Sequence, residues 1–232
     1  MKLAEFIARV ERYDFASQKQ LIAEDLEQLA RNRSLLSDYL QGRLLGTVPV
    51  KGSDLYNAYA FTLYECDRFM IRLVMWAPVE SQDEAETFIY GLVHSHDFEL
   101  FVTGYCGDGY ETILRPIVGD LNLKAGVMPA FGEASRLKVA PGTSYYMQPF
   151  RDVHLQLPPQ TLSGSLSLVA YLPGHHDDQK AWCFDDDYFP RHAGYGAAEQ
   201  ALYAEGMSTL EGWLKKGTDS ASALSHSDSN VR

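Results

Sequence analysis

The sequence predicts a mainly β domain, a sandwich or barrel of short strands, with helices before and after it. Three observations carry that expectation. Short apolar runs recur from about residue 55 to 184, broken by turn residues such as Gly107-Asp108-Gly109 and Pro141-Gly142. No alternation of strand and helix is visible, which disfavours a doubly wound parallel sheet. Helical periodicity is confined to the two ends of the chain.

At the start, Leu3, Phe6, Ile7 and Val10 draw one apolar stripe at i, i+3, i+4, i+7. Ser17 with Gln20 reads as a capping box, and Ile22, Leu26 and Leu29 give the next helix its stripe. A third short helix is expected over Ser34 to Leu40, ending near Gly42. Strands are expected at about 55–65, 69–77, 87–94, 98–105, 110–118, 135–140, 143–148, 152–157, 164–172 and 180–184. Leu202, Met207, Leu210 and Leu214 mark a final helix. The expected organisation is one domain spanning 1–216, with N-terminal helices within 1–45, a barrel over 55–184 and a C-terminal helix over 196–216. The tail 217–232, rich in Ser, Asp and Ala, is expected to be disordered.

Composition bounds the function. The 232 residues are 46% hydrophobic and 22% charged, enough for one substantial core. A formal net charge of −11 and the lack of a basic stripe argue against nucleic acid and against anionic membranes as partners. No apolar run approaches the roughly 20 residues of a membrane span. Charges at Lys2, Glu5, Arg9, Glu11 and Arg12 leave no room for a signal core. Cys66, Cys106 and Cys183 form no C-x-x-C pair, so reduced thiols and a cytoplasmic location are expected.

The informative segment is Val93-His94-Ser95-His96-Asp97-Phe98-Glu99. On a strand, His94 and His96 project to one side and suit one transition metal. His154, in Arg151-Asp152-Val153-His154-Leu155-Gln156-Leu157, is the candidate third ligand, with Val153, Leu155 and Leu157 on the opposite face. Glu99 falls out of phase with the two histidines and reaches the metal only through a bulge. His175-His176-Asp177-Asp178 reads as a solvated loop. The absence of Gly-x-Ser-x-Gly, P-loop and dinucleotide motifs argues against those chemistries.

These residues resemble the cupin superfamily. Its first motif is H-x-H, then Glu, then Gly, here His94, His96, Glu99 and Gly104. Its second is Pro-Gly and a later His, here Pro141-Gly142 and His154. The resemblance implies a double-stranded β-helix, or jelly-roll barrel. Three histidines without a carboxylate resemble the thiol dioxygenases, the cysteine dioxygenase-like cupins. Leu73-Val74-Met75-Trp76-Ala77-Pro78 and Ser167-Leu168-Val169-Ala170-Tyr171-Leu172-Pro173 resemble two strands of that family. By this match Tyr171 is the catalytic tyrosine. The family's carboxylate-binding arginine has no counterpart, since Ala60 or Phe61 stands near its place. Arg72, Arg115 and Arg151 are candidate replacements, because a guanidinium grips a carboxylate bidentately, and Tyr145 is a candidate pocket residue.

The resemblance implies an iron(II) oxygenase taking a small polar metabolite, such as a thiol or amino-acid derivative, together with dioxygen. Zinc, manganese and nickel are alternative metals. A metal-dependent isomerase or lyase that consumes no dioxygen, and a non-enzymatic ligand-binding cupin, are the alternative functions. A monomer or homodimer is expected.

Overall fold

The protein is described by a computed structural model that covers residues 1–47, 59–81, 90–173 and 180–193. The expected helix 196–216, the tail 217–232 and the His175-His176-Asp177-Asp178 loop lie outside the described residues.

Three helices lead: α1 Leu3–Val10, α2 Lys19–Ala30 and α3 Leu35–Leu44. Eleven strands follow among the described residues. They are β1 Ala60–Glu65, β2 Phe69–Trp76, β3 Val93–His94, β4 Phe98–Cys106, β5 Tyr110–Pro116 and β6 Ser135–Val139. The rest are β7 Ser144–Met147, β8 Asp152–Leu157, β9 Ser163–Tyr171, β10 Trp182–Phe184 and β11 Pro190–Ala193. They make two antiparallel sheets, ordered β1-β2-β9-β4-β7 and β11-β10-β3-β8-β5-β6. From β2 to β10 the chain changes sheet at every connection except the β5–β6 hairpin. That path is the jelly-roll double-stranded β-helix that the resemblance implied.

Three apolar layers hold it together. Outside the first sheet, Phe6, Val10, Ile22, Leu26 and Leu29 pack on Phe69, Ile71, Leu73, Phe101, Leu166 and Leu168. Between the sheets lie Trp76, Tyr90, Leu100, Val102, Tyr110, Val139, Met147 and Val169. Outside the second sheet, Val93, Ile117, Val153 and Phe184 form a smaller cluster with Phe131 and Leu155. Fully burying one such side chain stabilises by about 1.5–3 kcal/mol. Strand β9 is central and covered on both sides, so Ser163 to Ala170 are all buried. Leu166 and Leu168 face the helices, whereas Ser167, Val169 and Tyr171 face the interior.

Two local expectations are corrected. Ser17 does not cap α2; the helix begins after Gln18 with no side-chain cap, and Ser17 Oγ donates to Asp14 Oδ2 instead. Helix α3 runs two residues past Gly42, to Leu44. What fixes α1 against α2 is Asp25, only 4% exposed, which accepts from Arg9 Nη1 at 2.9 Å and Tyr13 OH at 2.6 Å. Of the strand expected over 87–94, residues 87–89 lie outside the described residues, and within 90–94 the strand is Val93–His94; β11 carried no sequence signal.

The glycine turns do what the sequence demanded. Gly107 and Gly109 both have φ in the left-handed region, at +72° and +84°, where β4 swings into β5. Gly104 is required by space. A Cβ there would sit 2.0 Å from the Ala140 carbonyl carbon. Among the described residues, no helix is long and apolar enough to cross a membrane, and the three cysteines form no disulfide.

Candidate metal centre

His94 and His154 are direct cross-strand partners between β3 and β8, which brings their side chains to one spot on the interior face. His96 arrives differently from the sequence expectation. The strand stops at His94, and Ser95-His96-Asp97 forms the corner by which the chain leaves the second sheet for β4 in the first. The corner is pinned. Ser95 N donates to Trp182 O at 2.9 Å, and Trp182 N donates back to Ser95 Oγ at 3.0 Å. His96 O accepts from Phe150 N at 2.6 Å, and Phe150 adopts the left-handed φ of +59° that is uncommon for a non-glycine residue. His96 also stacks on Phe98, with centroids 4.6 Å apart and planes at 22°.

The three imidazoles converge. Each offers one nitrogen within 4.8 Å of the others, and all three residues are buried. His96 Nε2 and His154 Nε2 are 3.3 Å apart. Adjacent ligands at a metal–nitrogen distance of about 2.1 Å stand roughly 3.0–3.4 Å apart, so the spacing fits a shared ion. The tautomers fit as well. His94 Nδ1 lies 2.9 Å from the Leu92 carbonyl oxygen, so it carries the proton and leaves Nε2 bare. Thr112 Oγ1 spends its hydrogen on Leu155 O at 2.8 Å. It therefore accepts from His154 Nδ1–H at 3.1 Å, which leaves His154 Nε2 bare too.

Burial is the main reason all three rings are poor bases. It lowers the pKa of His94 to about 4, against a small opposing pull from Leu92 and with a further lowering by Arg72. His96 is lowered by burial first, then by His154, His94 and Arg72. His154 is lowered by burial and by His94. At neutral pH the site presents three neutral nitrogen donors, the form that binds a transition metal.

The remaining candidates divide. Arg72, on the interior face of β2, is brought to the histidines; its charge is felt at His94, His96 and Tyr171, and its guanidinium sits 6.0 Å from the Phe98 ring centre. Tyr171 also lies on the interior side, but its hydroxyl donates to Glu65 Oε1 at 3.2 Å. Burial, and then Glu65, push its pKa up to about 12, so it is a proton donor and not a phenolate at neutral pH.

Arg115 and Arg151 are not brought to the site. Arg115 lies over the Phe131 and Tyr188 rings at 4.7 and 5.2 Å, outside the second sheet. Arg151 donates to Ile117 O at 2.6 Å on that same side. Tyr145 is half-buried against the apolar cluster between the sheets, and its hydroxyl donates to Lys138 O at 3.1 Å. Glu99 points toward the helices, 3.5 Å from Lys19 Nζ, as its odd spacing required. No bulge returns it to the histidines, and the register from Phe98 to Gly104 is regular.

Sequence reasoning missed Thr112 and Phe98. Their roles depend on β5 pairing with β8, and on a corner that folds His96 back over the start of β4. No local pattern announces either.

No family model and no curated protein matches the chain. Similar solved structures include the DMSP lyase DddQ from Ruegeria pomeroyi DSS-3, at 16% identity and a TM-score of 0.31, over 55% of this chain and 52% of that one. Cupins stand among these neighbours. One is a cupin domain from Bordetella pertussis Tohama I, at 11% identity and a TM-score of 0.30, over 49% of this chain and 92% of that one. The polyketide cyclase RemF from Streptomyces resistomycificus is similar at 13% identity and a TM-score of 0.29, over 48% and 63% of the two chains. This chain spans about half the length of the DddQ lyase that it matches.

Proposed function

We propose that this protein is a mononuclear non-haem iron(II) oxygenase acting on a small anionic metabolite, with thiol- or amino-bearing carboxylates as its substrate class. The observation that supports this most is the donor set: three buried, neutral imidazoles, with no carboxylate joining them among the described residues. With only three protein donors, a metal held there would keep positions open for other ligands. When bound, iron(II) supplies the activation of a coordinated substrate and dioxygen together.

The chain's own residues bind, orient and exclude water. His94, His96 and His154 hold the metal, with Leu92 O and Thr112 fixing two of the rings. Neutral ligands leave a divalent ion its full charge, and Arg72 adds another positive charge nearby. That field favours an anion, and the guanidinium is suited to grip a carboxylate. Leu100, Val102 and Val169 keep the interior apolar around the reacting groups. Tyr171 serves as a protonated donor, whose hydroxyl must turn from Glu65 to reach substrate.

The test is oxygen uptake by iron(II)-loaded protein with L-cysteine and related thiol carboxylates. Uptake that needs both iron(II) and thiol, and is lost in His154→Ala, is the expected result. Turnover of a substrate sustained without air by zinc, manganese or nickel contradicts the oxygenase reading and makes the metal a Lewis acid for a lyase or isomerase.

A further inference from the structure

The barrel interior contains polar atoms that its own packing does not use, two of them on uncharged side chains. The Ser167 hydroxyl and Gln156 Oε1 are buried and have no hydrogen-bond partner among the described residues. The residues are only 4% and 6% exposed, so bulk solvent does not reach them freely. Such a group left unsatisfied is costly, and native interiors satisfy nearly all of them. The other buried hydroxyls among the described residues are all engaged: Ser95, Thr103, Thr112, Ser163 and Ser165 each have a partner. Ser165, two residues before Ser167 on the same face, accepts from Trp76 Nε1 at 2.9 Å.

The two groups occupy informative positions. Ser167 lies on β9 in register with Arg72 on β2 and Val102 on β4. Gln156 follows His154 by two residues on β8, in register with Thr112, and so shares the face of a metal-site histidine. Ser167 is therefore the cross-strand neighbour of Arg72, and Gln156 is next to His154 along its face, on the inner faces of opposite sheets.

We propose that Gln156 and Ser167 form a substrate-orienting subsite. It takes the hydroxyl or amino group of a small substituted carboxylate whose charged end lies toward Arg72. The substrate's donor hydrogen goes to Gln156 Oε1, and the Ser167 hydroxyl donates to or accepts from the same group. An unsubstituted carboxylate leaves both unsatisfied and is discriminated against for that reason. The inference rests on the histidine triad being a metal centre, so iron content is measured on every variant.

The test compares Ser167→Ala and Gln156→Met with wild type in two ways. Glycolate and acetate are titrated calorimetrically into anaerobic iron(II)-loaded protein, and melting temperatures are taken on metal-free protein. Wild type is expected to prefer glycolate by about tenfold or more, and each variant to lose about fivefold of that preference with iron content unchanged. Without ligand, each variant melts at or above the wild-type temperature, because an unsatisfied polar group has been removed. A preference absent in wild type, or unchanged in both variants, overturns the subsite. So does a lower melting temperature in both metal-free variants, which would assign the two side chains to structure. Failure of the metal centre would appear separately, as wild-type protein that takes up no iron.

Discussion

At the residue scale, chemistry is set by burial and by which nitrogen of each ring is spoken for. Thr112 is the clearest case, since its hydroxyl is committed to Leu155 O and can only accept from His154. Thr112→Val keeps the shape and removes that acceptor, so metal affinity is expected to fall by about 10- to 100-fold, measured by competition with a chelator. Tyr171→Phe is expected to lower kcat with iron content unchanged, which steady-state oxygen uptake checks. The histidines also set a pH dependence. The folded pKa of His94, about 4, lies below its ordinary 6.5, so the unfolded chain takes up the proton more readily. Stability from keeping that ring neutral is fully present above pH 6.5 and drains away as pH falls toward 4. Metal-free protein is therefore expected to show a falling melting temperature across that window. His94→Gln should flatten some of the slope.

At the scale of elements, the interior of the barrel follows from alternation, and its corners do not. The two-residue period was legible for β8 and for the start of β4: it put His154 opposite Val153, Leu155 and Leu157, and Glu99 out of phase with the histidines. It was less informative at His96, because the strand breaks after His94 and the ring is aimed by a corner. The failure of Arg115 and Arg151 as clamp residues has the same origin. Which face of β5 or of the turn before β8 looks inward depends on pairings made far along the chain. Gly104 belongs to this scale too. The cupin-like motif places a glycine there, and the structural reason is the backbone at Ala140 and Pro141, which leaves no volume for a methyl group. Gly104→Ala is expected to cost about 3 kcal/mol or more in chemical denaturation, well above a surface substitution. Gly126, where an added Cβ meets open space, is the contrasting control in crowding, although its φ of +73° still favours glycine.

At the scale of the whole molecule, helices α1 to α3 close the outer face of the first sheet, and the histidines lie between the two sheets. Sandwich or barrel was readable from strand spacing and turns. The jelly-roll path was not, since it is a property of sheet order; the family resemblance supplied it. A metal bound only by the folded barrel must also stabilise it. Saturating iron(II), at about 100 times Kd, is expected to add roughly 2.7 kcal/mol, seen as a higher melting temperature that is absent in His154→Ala. The most direct measurement is metal content by mass spectrometry on untagged protein, wild type beside His94→Ala, both after anaerobic iron(II) reconstitution. Near-stoichiometric iron in wild type and its loss in the variant is the expected result. Equal metal in both proteins, or none in either, would contradict a metal centre on His94, His96 and His154.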